Sequence, residues 1–133
     1  IRRDRTGIEN LEDSLMTDHV NYFEIGTPDP IATRAFFGDV FGWTFGPSEP
    51  GGYGMVNSEA GEFTGGLWDT TPLGGAQWAI FYIEVADIQA TLDAASAHGA
   101  NIAMPLVDNG TIQFAHLTDP TGNRFGVWQR NAA

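Results

Sequence analysis

One order of elements occurs twice along this chain, and that repetition limits its fold more than any other feature. Val20 to Ile25 alternates as a strand, with Phe23 and Ile25 on one face and Val20, Tyr22 and Glu24 on the other. Asp29-Pro30 then supplies an N-cap acceptor followed by a proline suited to the first helical position. Ala32, Ala35, Phe36, Val40 and Phe41 fall at helical spacing as an apolar stripe, and Gly42 ends the run. Strand segments follow near 43–47, 53–57 and 63–68, with Gly and Pro between them. From Trp78 the order recurs. Phe81, Ile83 and Val85 alternate against Ile80, Tyr82 and Glu84, Asp87 caps a helix to about His98, and Gly99 stops it. Strands are expected at 101–106, 111–118 and 124–129, the last two joined by a tight turn from Asp119 to Asn123.

Short identities support a duplication. Phe23-Glu24-Ile25 is echoed by Ile83-Glu84-Val85, and Ala32-Thr33 sits after Asp29 as Ala90-Thr91 sits after Asp87. The pattern predicts an α+β protein of two βαβββ halves forming a single domain over 16–133. Residues 1–15 mix charges without a sustained period, so Met16 reads as the natural start. The stretch before it is expected to be a disordered or cloning-derived leader, with a short amphipathic arm (Ile8, Leu11, Leu15) as the alternative.

Composition removes several chemistries. With 133 residues the chain can bury roughly two-thirds of its unfolded surface without a disulfide or structural metal. It has no cysteine, which excludes disulfides, thiolate zinc sites and cysteine nucleophiles. All six basic residues are arginines, so no lysine can form a Schiff base. A net charge of −11 opposes nucleic acid and strongly anionic ligands and mildly attracts cations. No apolar run is long enough for a membrane span and nothing reads as a signal peptide, so the cytoplasm is the expected location.

Three segments, "YFEIGTPDPIATRAFFGDVFGWTF" (22–45), "FYIEVADIQATLDAASAHGANI" (81–102) and "FAHLTDPTGNRFGVWQ" (114–129), resemble the vicinal oxygen chelate superfamily of glyoxalases, bleomycin-resistance proteins and extradiol dioxygenases. The resemblance implies two βαβββ modules whose strands curl into a half-open mixed β-barrel with helices outside, and a homodimer with the site on the concave face. Metal-using members carry His or Gln at the start of each half's first strand and Glu on each half's last strand. The matching positions here are Val20, Ile80, Gly66 and Gly126, none of which can ligate a metal. No metal or other cofactor is therefore expected. An unusual divalent-metal site using His116 and a pocket glutamate remains as the alternative.

Strand parity places Val20, Tyr22, Ile80 and Tyr82 toward a pocket, together with Trp68, Phe114, His116, Gly126 and Trp128. Trp78 and Arg124 are expected near the same cleft, and Gly126 is expected to open space where relatives place a ligand. Glu24 and Glu84 read as equivalent carboxylates at strand ends, candidates for a general base if burial perturbs them. His98 reads as a helix C-terminal cap and His19 as a strand-entry surface residue. Aromatic walls suit apolar or flat guests and an acidic rim suits cationic ones. These features point to a metal-independent small-molecule binder acting in sequestration or resistance. Whether the chain is an enzyme stays open: the alternatives are a lyase, isomerase or dioxygenase with a glutamate base or unorthodox metal site, and a regulatory dimer with a vestigial pocket.

Overall fold

The computed structural model describes residues 18–48, 52–57 and 64–132. The leader expected over 1–15 lies outside these residues. The described residues divide into two units, 21–81 and a second formed by 82–132 with 18–20. Each holds most of one βαβββ repeat, the division cutting the first strand of both.

In the first unit, β1 (His19–Thr27) leads into helix α1 (Pro30–Phe41), then β2 (Thr44–Phe45), β3 (Tyr53–Asn57) and β4 (Thr64–Asp69). The strand order is β2-β3-β4-β1. β1 runs parallel to β4 and the other neighbours are antiparallel. Asp29 caps α1 by accepting from the Ala32 N–H at 3.1 Å, and Gly42 terminates it in the left-handed region at φ 73°. A 3-10 turn at Thr71–Leu73, not foreseen from the sequence, leads toward β5.

The expected apolar stripe of α1 does not face inward. Phe36, Val40 and Phe41 are 55–60 % exposed, and no residue of the helix is fully buried. The inner face is Thr33, Arg34, Phe37 and Gly38, each half-buried. Specific contacts choose that face. Phe37 stacks on Trp43 at 4.7 Å, Thr33 bonds Thr27, and the Arg34 guanidinium donates to the Gly46 carbonyl at 3.1 Å. Beneath them, Leu67 and Val56 are buried, and the Phe23 ring packs on Gly65 and lies 5.6 Å from Trp43.

The second repeat runs β5 (Trp78–Glu84, whose residues 78–81 fall in the first unit), α2 (Ile88–Ala97), β6 (Asn101–Asp108), β7 (Ile112–Thr118) and β8 (Arg124–Arg130), arranged as β5-β8-β7-β6. Tyr82–Glu84 of β5 run parallel to β8, and the rest is antiparallel. Asp87 caps α2 through the Ala90 N–H at 3.0 Å, and the Gln129 side chain accepts from the Ile88 N–H. Ile88 and Leu92 pack on Val85, Ala115, Leu117 and Val127, with Ile83 and Phe125 beside them. Burying each large aliphatic here contributes about 1.5–3 kcal/mol. The β7–β8 turn closes through Asp119, which accepts from the backbone and side chains of Thr121 and Asn123. Edge strand β6 breaks register twice, between Ile102 and Met104 and between Met104 and Val107, where Pro105 interrupts the ladder. Among the described residues, no helix is long and apolar enough to cross a membrane.

Candidate functional site

The face of each sheet opposite its helix carries the polar chemistry. On the first unit, β1 alternation places Tyr22 and Glu24 there, and β3 and β4 register sets Tyr53 opposite Trp68 and Met55 opposite Gly66. Glu24 is 3 % exposed. Its Oε1 accepts from the Tyr53 hydroxyl at 3.0 Å and its Oε2 from the Trp78 indole N–H at 2.9 Å. The Tyr22 and Tyr53 hydroxyls lie 2.7 Å apart, and the Tyr22 hydroxyl also lies 3.5 Å from Met55 Sδ. Burial of the Tyr22 phenol, with a smaller push from Glu24's charge, outweighs the Tyr53 hydrogen bond and raises its pKa to about 12. Trp68 lies edge-on to both Tyr53, at 6.0 Å, and Trp78, at 5.8 Å.

On the second unit, Tyr82 and His116 are 3 % and 0 % exposed. The Tyr82 hydroxyl meets His116 Nε2 at 2.5 Å, and Arg124 reaches His116 Nδ1 through Nε at 3.1 Å and Nη2 at 2.9 Å. Glu84 pairs with the Arg130 guanidinium at 3.0 Å. Trp128 sits opposite Phe114 in the β7–β8 ladder and under the Arg130 guanidinium at 4.8 Å.

The register also revises which positions correspond. Glu24 stands five residues before N-cap Asp29 and opposite Gly66, whereas Tyr82 stands five before N-cap Asp87 and opposite Gly126. The counterpart of Glu24 is therefore Tyr82, and Gly66-Leu67-Trp68 repeats as Gly126-Val127-Trp128. Glu84, read from the sequence as the partner of Glu24, faces Trp128 instead. Gly126 does not open space. A Cβ there would fall 2.5 and 2.7 Å from Cδ2 and Cζ of the Tyr82 ring, and one at Gly66 would overlap the Tyr53 hydroxyl. Both glycines admit a tyrosine ring from the adjoining strand.

Of the expected pocket residues, the first unit joins Tyr22, Glu24 and Trp68, and the second joins Tyr82, His116 and Gly126. Ile80 is half-buried, while Val20 is 48 % exposed. Tyr53 escaped the sequence reading, although paired glycines inside a strand signal a close approach from a neighbour. His98 does serve the end of α2, its Nδ1 bonding the Ala94 carbonyl at 2.8 Å. His19 opens β1 as expected and is half-buried, with Nε2 buried and without a hydrogen bond.

The superfamily's metal does not fit these residues. The places where last-strand glutamates would project are filled by Tyr53 and Tyr82, and Val20 and Ile80 offer no donor. Among the described residues, no group of three or more His, Asp or Glu is placed to hold an ion.

Two βαβββ repeats, each with a polar cluster on the face away from its helix, define an α+β protein of the glyoxalase fold. The chain belongs to the Glyoxalase/Bleomycin resistance protein/Dioxygenase superfamily, which it matches over residues 18–127. It is 31 % identical over 118 residues to a protein of Mycobacterium bovis called putative glyoxylase CFP32. The match takes in 84 % of this chain but only 45 % of that relative. Among solved structures, a superfamily member from Vibrio splendidus 12B01 is similar with a TM-score of 0.56 at 21 % identity, covering 85 % of this chain and 99 % of that one. Streptomyces coelicolor methylmalonyl-CoA epimerase, solved with 2-nitronate-propionyl-CoA, gives 0.54 at 14 % identity, covering 87 % and 99 %. These structural likenesses show the fold.

Proposed function

We propose that the chain is a metal-independent, small-molecule-binding member of its superfamily, acting by sequestration in the cytoplasm, and that the Glu24 cluster holds the ligand. The carrying observation is a buried carboxylate oriented by an indole and a phenol amid Tyr22, Tyr53 and Trp68. A carboxylate among ring faces suits an organic cation carrying an apolar group, and the net charge of −11 draws such ligands inward. A homodimer is part of the proposal, supported by the exposed Ile31, Phe36, Val40 and Phe41 of α1, which a second copy would cover.

Calorimetry with benzyltrimethylammonium tests the reading on metal-stripped protein. Saturable binding is expected, weakened at least about tenfold by Glu24→Gln, since a charge-assisted contact contributes about 1.5–3 kcal/mol. Equal binding by the variant, or binding only after divalent metal is restored, would overturn it. The second reading is an isomerase or lyase with Glu24 as base. The burial of Glu24 and the activities in the names of the relatives favour it, and loss of turnover in Glu24→Gln with ligand affinity intact would establish it.

A further inference from the structure

The chain contains no cysteine, so its readily oxidised sulfur is confined to three methionines, Met16, Met55 and Met104. Met16 lies outside the described residues, and Met104 is half-buried on β6. Met55, on β3, is 40 % exposed. Alternation along β3 sets it on the same face as Tyr53, and the ladder sets it opposite Gly66, the glycine that seats the Tyr53 ring. Its sulfur is turned toward the Glu24 cluster. Sδ lies 3.5 Å from the Tyr22 hydroxyl, which lies 2.7 Å from the Tyr53 hydroxyl that donates to Glu24. A thioether has no hydrogen to give, so sulfur is the acceptor in that contact. One side chain thus joins solvent to the cluster.

We propose that Met55 is a modification site, oxidised to the sulfoxide by hydroperoxides, and that this oxidation weakens ligand binding at the Glu24 cluster. The sulfur lone pair attacks the terminal oxygen of the hydroperoxide, and the S–O bond forms as the O–O bond breaks. The departing oxygen takes the proton of the transferred oxygen and leaves as alcohol or water. Sulfur gives up two electrons and the peroxide accepts them. A flexible apolar side chain becomes a polar one, with a strongly accepting oxygen beside Tyr22. The thioether's favourable contact with an aromatic ligand group is lost in the same step. The effect on binding rests on the reading of the Glu24 cluster as a ligand site, whereas the selectivity of oxidation does not.

A Met16→Leu chain, which keeps Met55 and Met104 alone, is treated with dilute hydrogen peroxide. Peptide mass mapping should show sulfoxide forming at Met55 several times faster than at Met104, because susceptibility follows exposure. The Tyr22 ring resonances should shift with that oxidation, and Met55→Leu should abolish the shift. By calorimetry, affinity for benzyltrimethylammonium should fall about threefold in the oxidised chain, the scale of a sulfur–aromatic contact, and stay constant in peroxide-treated Met55→Leu. The two epimer-specific methionine sulfoxide reductases, applied together, should restore it. The inference is overturned if Met104 oxidises as fast as Met55, if the Tyr22 resonances do not respond, if the oxidised chain binds as the reduced one does, or if peroxide weakens binding equally in Met55→Leu. Absence of benzyltrimethylammonium binding before oxidation removes the Glu24 reading instead, and with it the effect on binding. The mass mapping and the Tyr22 spectra then decide the modification site alone.

Discussion

Replacing Gly126 with alanine sets a methyl group against a ring that has little freedom to retreat. The added Cβ would sit 2.5 Å from Tyr82 Cδ2, well inside the contact distance real side chains tolerate. The ring is held at its far end by the bond to His116 and is itself 3 % exposed. Overpacking of this kind costs about 1–3 kcal/mol, and shifting the ring far enough to break the buried hydrogen bond adds about 1–3 kcal/mol. Against this, alanine relieves the backbone-entropy cost of a strand glycine, roughly 0.5–1 kcal/mol. The net expectation is a loss of about 1–5.5 kcal/mol. For a domain of this size that lowers Tm by roughly 4–20 °C. Urea unfolding and calorimetry measure it directly. A Tyr82→Ala background provides the control: with the ring gone, Gly126→Ala should become neutral or slightly stabilising. An equal loss in both backgrounds, or a loss below about 1 kcal/mol in the parent, would refute the account of Gly126 as the seat of that ring.

Trp78→Phe keeps most of the aromatic volume but takes away a donor to buried Glu24, so stability should fall by about 1–3 kcal/mol in chemical denaturation. Tyr22 has a folded pKa of about 12 against 10.0 in the unfolded chain, so the fold favours its neutral form. That stabilisation is complete below pH 10 and disappears between pH 10 and 12, and Tyr22→Phe should flatten this alkaline limb of a stability–pH curve. Asp119 shows the opposite sign. The hydrogen bonds of Asn123 and Thr121 lower its pKa from 3.8 to about 2, so its contribution is present above pH 4 and fades as pH falls toward 2. Asp119→Ala should remove that acid-limb slope in thermal melts.

Much of the fold was legible because local chemistry specified it. Asp29 and Asp87 cap their helices, Gly42 ends the first, and β3 falls on the segment read for it, 53–57. The inner face of α1 was misread because Phe36, Val40 and Phe41 are apolar, while the residues that meet the sheet include Thr33 and Arg34, whose polar groups bond loop and strand atoms. Parity correctly separated Tyr22 and Glu24 from Phe23, but it could not supply Tyr53, which reaches Glu24 only through the register of β3 on β4. The apparent equivalence of Glu24 and Glu84 rested on a three-residue echo. Helix caps and strand pairing, which constrain geometry, align Glu24 with Tyr82.

Strand β6 has a further consequence for how copies of this chain can meet. An unpaired strand edge is a template on which another chain can add a strand, and regular edges therefore invite fibrous growth. Here the outer ladder is interrupted twice within eight residues, and Pro105 contributes no N–H. A strand docking there would find its hydrogen-bond partners out of step. Association that extends the sheet at this edge is disfavoured.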